Sequence, residues 1–543
     1  MMIDARSLPS EETIEADVCI VGAGPAGITI AREFLNQDVR VCLVESGGLE
    51  PDPDTQSLCE GNTIGDPYPD LRETRRRQFG GTAHAWEAPI GYQQWGWRCL
   101  PLDEIDFEQR DWLPHSGWPF TRDHLDPFYQ QAHRVCQIGP FTYRVEDWEG
   151  SAGHRLPFQG DRAISTMSQY ASRTPFTKEY REEIGRAENI TTLLHATVVE
   201  IETDEMARMV TRLRVTCLQG KSFWISAKLF ILAMGGIENA RLLLLSNQRQ
   251  QAGLGNHHDL VGRFFMDRPI VSCGMLIPSS RQLLDRTGLY DIVAVKGVPV
   301  MARVRLTDEV MRREHLLNNG AQLFPRPQPR QKEATQSLRS LLTSMRRAEL
   351  PKDLLQHLGT IVRGVDYVTA AAFWGAIRRL PGLHRGDWSY LPYEKQRFSM
   401  FEVIYQIEQA PDPNNRVVLS AERDRLGLNK TELHWQLNEI DRRTIQRVKE
   451  IWAEEFDKAG LGHLHLETEL KFDKLAIHHH MGTTRMHLDP KQGVVDANCK
   501  VHDMTNLFIA GSSTFPTAGY ANPTLTIVAL AIRLANHVKE LLN

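Results

Sequence analysis

This 543-residue sequence predicts an α/β fold, on three observations. Residues 17–45 run strand, glycine turn, helix, strand within about 30 residues, the size of a βαβ unit. Far along the chain, the apolar strand Leu229–Ala233 leads into Gly235-Gly236 and then a helical pattern over Ile237–Leu245. Near the C-terminus, Leu507-Phe-Ile-Ala-Gly511 repeats the strand-to-glycine step, and an apolar helix follows from about Pro523 to Leu542. Hydrophobic residues are 41% and charged residues 24% of the chain, an ordinary globular balance that excludes global disorder and fibrous architectures.

The elements follow in order. Asp17–Val21 is a short, β-branched apolar run, the pattern of a strand buried on both faces. Gly22-Ala-Gly-Pro-Ala-Gly27 comes next, Ile28–Leu35 reads as a helix, and Val39–Val44 is a second buried strand that ends at Glu45. Residues 46–160 read as irregular and rich in Pro, Gly and Trp; six of the 11 tryptophans (86, 95, 97, 112, 118, 148) lie there, as core or as lining of a site. Strand character returns over Thr192–Ile201, Val210–Cys217 and Leu229–Ala233. Residues 321–400 carry ten Arg and three Lys against six acids, with a loop at Pro325–Pro329 and helical patterns near Ser337–Arg347 and Asp353–Arg379. A solvated helical hairpin accounts for them, and a basic face for a partner or membrane surface is the sharper alternative.

The eight cysteines lack any C-x-x-C spacing, and a chain of this size needs no disulfide staples, so reduced, buried thiols are expected. Met1–Asp17 is polar without an apolar signal core, and no run has the length of a membrane span, so a cytoplasmic protein without an integral membrane segment is expected. A net charge of −5 gives no electrostatic reason for a nucleic-acid partner.

Gly22, Gly24 and Gly27 form G-x-G-x-x-G between a strand and a helix. They supply a tight turn, a close approach to a pyrophosphate and close helix–strand packing, and the helix N-terminus offers free N–H groups to phosphate. Glu45 stands where a ribose-binding acid is expected. Strand ends converging from residues 21, 233 and 510 suit a large ligand held along its length, which favours FAD over a nicotinamide cofactor. In His478-His-His480, an extended backbone would turn His479 opposite to its neighbours, as a candidate base. Three consecutive histidines cannot converge on one metal from a regular strand, so no metal site is expected. Asn522 before Pro523 is either a turn or cap residue or a second polar group facing a substrate hydroxyl; spacing alone leaves both open.

Together these motifs resemble the glucose–methanol–choline (GMC) oxidoreductase family, over most of the chain. The resemblance rests on Val21-Gly-Ala-Gly-Pro-Ala-Gly27 through Gly48, Phe79-Gly-Gly-Thr-Ala-His-Ala-Trp86, Leu232–Arg241, Val261–Asp267, His479-His-Met-Gly-Thr483, Gly493-Val-Val-Asp496 and Asn522-Pro523. It implies a Rossmann-like FAD-binding domain plus a discontinuous α+β substrate-binding domain with an antiparallel sheet. The expected division is 14–110, 191–268 and 476–543 for FAD, and 111–190 and 269–475 for substrate, with a basic helical insertion at about 321–397. FAD contacts are expected from Gly22, Gly24, Gly27, Glu45, Gly80, Gly81, Thr82, Val198, Gly235, Gly511, Ser512 and Thr524.

The resemblance further implies oxidation of an alcohol, with His479 as general base and Asn522 as its partner. The segment 79–86 is most similar to the sugar-oxidising branch related to pyranose oxidases, so a sugar or glycoside hydroxyl is the expected substrate, with oxygen or another compound as electron acceptor. A dehydrogenase of a non-sugar secondary-metabolite alcohol, or a lyase that keeps FAD structurally, are the alternatives. Ala85 stands where relatives can carry a flavin-linking histidine, and His84 is one position early, so non-covalent FAD is expected. Gly511 replaces an acid that many members carry.

Overall fold

A computed structural model describes the chain except residues 92–93, 151–152, 328, 347–352, 370–397, 471–477 and 543. The parts of the expected helix Asp353–Arg379 and of the basic insertion that fall on 370–397 therefore lie outside the described residues.

The first sheet has the order β1 (Met2–Asp4), β8 (Ile190–Leu194), β3 (Val41–Val44), β2 (Thr13–Val21), β11 (Ser222–Leu232), β10 (Val210–Thr216), β9 (Thr197–Thr203), and β20 (Leu507–Ile509) pairs with β11. Pairing is parallel from β1 through β11 and at β20; β10 is antiparallel to both its neighbours. Its central strands are the apolar runs of the sequence, with Val18–Ile20, Leu43 and Phe230–Leu232 buried. The helix Pro25–Glu33 begins with proline at its first turn, where the fixed φ suits a helix and the missing N–H costs nothing. It lies tight on the strand: a Cβ at Gly27 would fall 1.9 Å from the Gly22 carbonyl oxygen. The C-terminal helix Thr524–Leu542 packs on this helix and on Arg122–Val135, which buries the apolar stretch 525–534 inside the protein. No helix of the described residues is long and apolar enough to cross a membrane.

The second sheet is antiparallel. Its order is β19 (Gly462–Leu466), β12 (Ile270–Pro278), β16 (Phe398–Ile407), β15 (Asn319–Pro327), β14 (Val298–Leu306), β7 (Ala163–Ser172), β6 (Gln94–Cys99), β5 (Ala88–Gly91), and β13 (Val293–Val295) pairs with β14. A small third sheet joins β17 (Arg416–Arg423), β18 (Asn429–Trp435) and β4 (Gly61–Gly65). The chain is thus a mixed α/β protein with a largely parallel and an antiparallel layer.

Three local expectations need correction. The run 192–201 is two strands, because His195 takes a left-handed conformation (φ 57°) and the backbone at 195–196 bonds to Gly47 and Glu45 instead of continuing the ladder. Residues 46–160 are less irregular than their composition suggests: β6 joins the antiparallel sheet, and Arg122–Val135 is a helix despite Pro127. Leu125, Tyr129, Ala132 and His133 form its buried stripe, so packing outweighs the proline. The expected loop at 325–329 is strand through Pro327. There β15 pairs with β16 on one side, while its register with β14 is at Val304 and Ala321, away from the prolines, so prolines that cannot donate are tolerated.

Candidate active site

The C-terminal ends of β2 and β11, the loop after β20 and the segment 79–86 open onto one cavity of about 1500 Å³. Gly22, Gly24, Glu45, Gly81, Thr82, Val198, Gly235, Gly511, Ser512 and Thr524 all line it. Gly27 and Gly80 do not: Gly27 sits under the turn, and the Gly80 N–H donates to the Ala23 carbonyl at 2.8 Å, holding the 79–86 segment against the first turn. Glu45 is buried and accepts the Ala23 N–H (2.9 Å) and the Gly47 N–H (2.8 Å), so it ties the glycine turn to the end of β3.

The lining fits FAD. A Cβ built at Gly24, at Gly235 or at Gly511 would meet nothing within 4 Å, although each stands on the cavity wall. These three positions, from three strand ends, present bare backbone to open space, as a ligand in close contact with main chain requires. The helices Pro25–Glu33 and Gly235–Leu245 both begin at this wall. When bound, FAD would be held by these backbone surfaces together with Thr82, Val198 and Ser512.

Further along the cavity, His479 and Asn522 meet. The Asn522 amide nitrogen lies 3.3 Å from His479 Nε2, and Arg268 Nη2 lies 3.4 Å from the same atom. Both groups can only donate, so Nε2 carries the lone pair and the ring proton sits on Nδ1. That nitrogen faces the Asp267 carboxylate at 3.8 Å. Burial first, and Arg268 second, hold His479 well below the ordinary imidazole value, so it is neutral at neutral pH. Asn522 Oδ1 has no partner among the described residues, so the side chain is turned to His479 and is not capping the helix behind it.

Asp267 fixes the backbone of His479. Its Oδ1 accepts the backbone N–H of His479 at 3.1 Å and of Arg268 at 2.6 Å, and Tyr68 donates its hydroxyl to Oδ2 at 2.5 Å. Burial pushes the Asp267 carboxyl up to about 6 against these bonds. His480 is turned away, with its ring against Tyr68 and Phe265, and its carbonyl accepts the Ser512 hydroxyl at 2.7 Å. His478 faces the charged groups Arg76, Glu73 and Glu87. The three histidines therefore serve different surroundings.

Several lining residues escape motif reasoning. Arg98, Arg268, Gln322 and Gln406 face the cavity from the antiparallel sheet, and Lys332, Thr335, Gln336 and Arg339 from the helix Pro329–Arg346. The 3.6-residue spacing of those last four is the only signal that hints at them. Of the six clustered tryptophans, Trp86 and Trp97 line the cavity as a tilted pair with centroids 4.8 Å apart, while Trp118 and Trp148 are buried in the core. His84 is absent from the wall; its Nε2 bonds the Phe79 carbonyl at 2.9 Å.

Residues 411–531 match the profile described as GMC oxidoreductase. The fructose dehydrogenase large subunit of Gluconobacter japonicus is 24% identical, covering 97% of this chain and 98% of its own length. Paromamine 6′-oxidase of Streptomyces fradiae is 24% identical over 96% of this chain and 91% of its own. Among solved structures, a formate oxidase variant of Aspergillus oryzae superposes with a TM-score of 0.52 at 17% identity, covering 98% of this chain and 99% of that one, which supports the fold.

Proposed function

We propose that this chain, which belongs to the GMC oxidoreductases and uses FAD, oxidises a hydroxyl of a sugar or glycoside to a carbonyl. The single observation that carries this reading is the neutral His479 paired with Asn522 on the wall of the glycine-lined cavity. FAD supplies the hydride acceptor, flavin N5. The protein's part is to seat the alcohol with its O–H on His479 Nε2 and its carbinol C–H turned to the flavin. Asn522 donates to the same oxygen, and Nε2 takes the hydroxyl proton as the hydride leaves. The resulting imidazolium is met by Asp267 on its Nδ1 side, while Asp267 also fixes the backbone of the base. The fructose and paromamine in the relatives' names support the sugar class.

Several finer readings belong to this proposal. FAD is held without a covalent bond: Ala85 stands on the cavity wall and His84 is turned away from it. The electron acceptor is oxygen or another small oxidant. The eight buried, unpaired cysteines support a reducing, cytoplasmic setting. The two sheets support a division into an FAD-binding and a substrate-binding domain near the boundaries given above. The test is anaerobic mixing of the flavin-loaded protein with a panel of sugars, glycosides and simple alcohols. Bleaching of the flavin band by a hydroxyl compound is expected; a flavin that no alcohol reduces would refute the assignment.

A further inference from the structure

Three arginines from three elements of the antiparallel layer converge on one neutral oxygen. Oε1 of Gln406, on β16, accepts from Arg98 Nη1 of β6 at 2.5 Å, from Arg303 Nη2 of β14 at 2.6 Å, and from Arg268 Nη1, just before β12, at 2.9 Å. All three side chains are buried, at 6%, 0% and 2% exposure. Arg268 also donates to the Tyr520 carbonyl at 2.8 Å. No carboxylate forms a salt bridge with any of the three among the described residues. Asp267, beside Arg268 in the chain, gives its oxygens to Tyr68 and to two backbone N–H groups.

The cluster is left with donors to spare. Arg98 Nε and Nη2, Arg268 Nε, and Arg303 Nε and Nη1 have no hydrogen-bond partner among the described residues. Burial, and then the neighbouring guanidiniums, pull Arg268 and Arg303 well below the usual arginine range. Buried cations at close quarters are strongly unfavourable unless an anion joins them. Two of the three, Arg98 and Arg268, stand on the cavity wall with Gln406, His479 and Asn522. A guanidinium fork matches a carboxylate in two parallel hydrogen bonds, and of the two arginines on the wall Arg98 keeps such an edge, Nε and Nη2, desolvated and without a partner among the described residues, while Arg268 keeps Nε.

We propose that the alcohol this site oxidises also carries a carboxylate, held by Arg98 and Arg268 with Arg303 behind them, so that the substrate class is hydroxy acids, sugar acids included. This rests on the reading of His479 and Asn522 as the alcohol site. Arg268 Nη2 and His479 Nε2 are only 3.4 Å apart, so a carboxylate on the arginine sets a hydroxyl close by in the same molecule onto the base. The reaction balances as before. The hydroxyl gives its proton to His479 and the carbinol carbon gives a hydride to the oxidised flavin. The carboxylate is unchanged, and the external acceptor reoxidises the flavin.

The experiment uses the flavin-loaded protein and acetate as probe, with acetamide as its neutral isostere, followed by flavin difference absorbance. Acetate is expected to perturb the spectrum saturably and acetamide not. In Arg98→Gln acetate should bind at least tenfold more weakly, and Arg98→Lys should recover part of the loss. An equal response to both probes, or an acetate response unchanged in Arg98→Gln, would overturn the proposal. So would silence to acetate with a lowered flavin potential in Arg98→Gln, which would assign the cluster to the flavin. In the reduction assay, glucuronate or gluconate should bleach the flavin at least tenfold faster than glucose. A neutral sugar reacting as fast as its acid sinks the hydroxy-acid class and leaves alcohol oxidation standing. Should no alcohol of either kind bleach the flavin, alcohol oxidation itself falls, and the acetate titration alone decides the anion site.

Discussion

The two ends of the cavity are made of opposite materials. At one end, Gly24, Gly235 and Gly511 present bare main chain from the edges of the parallel sheet. At the other, Arg98, Arg268, Gln406, His479 and Asn522 present side chains, two of them buried arginines. The first surface suits a ligand recognised by shape and by backbone N–H groups. The second suits a small molecule recognised by charge and acted on by a base. The difference separates holding from reacting, and substitutions at the two ends should fail in different ways.

The largest expected effect is at the reacting end. His479→Ala should slow flavin reduction by about 100-fold or more while FAD content stays at one per chain, since only the proton acceptor is lost. Single-turnover absorbance with a flavin-to-protein ratio measures both, and loss of FAD in this variant would blur the division. Gly24→Val tests the holding end. Its Cβ would enter open cavity with no protein atom within 4 Å, so the fold should survive while FAD affinity falls by about 10- to 100-fold, the range of an overpacking penalty. Thermal unfolding and flavin titration together distinguish this from a general loss of stability. Asn522→Ala removes one hydrogen bond to the reacting oxygen and should cost about tenfold in the reduction rate, with FAD retained.

The smallest effect is a displacement of a pH profile. The depressed value of His479 places the acid limb of kcat/KM below pH 6.5, because protonation there removes the base. Arg268→Gln takes away the second cause of that depression, so the histidine holds its proton more tightly and the limb should move upward. An acid limb that stays in place would mean that Arg268 does not set the value and that burial, with the remaining neighbours His478, Arg98 and His480, does.

The same contrast decides what could be read before folding. The holding end was legible because its chemistry is local: glycines at fixed offsets after a strand, and an acid closing the next one. Even there, Gly27 and Gly80 shape the turn without lining the cavity, a distinction spacing cannot draw. The pair His479 and Asn522 came through resemblance, since Asn-Pro alone also spells a helix start. Asp267 was visible as part of a motif but not as the group under the base. The arginine cluster was illegible altogether. Arg98 and Gln406 are 308 positions apart, and buried arginines carry no local pattern to set them off from solvated ones. The split at His195 was hidden for a related reason: the backbone bonds to Gly47 and Glu45 that interrupt the strand are long-range.

The tethering of His479 has a consequence for the order in which the protein becomes competent. Its backbone hangs on Asp267, 212 positions earlier, its ring meets Asn522, and the next residue's carbonyl is bonded by Ser512. The βαβ unit at 17–45 can close from its own residues, whereas the base has no fixed place until both sheets and the last helix have come together. Contacts of such long sequence separation form late and slowly. A chain with only the 17–45 unit closed thus offers one of the three glycine edges of the nucleotide cradle and no proton acceptor, and reactivity is confined to the fully assembled protein.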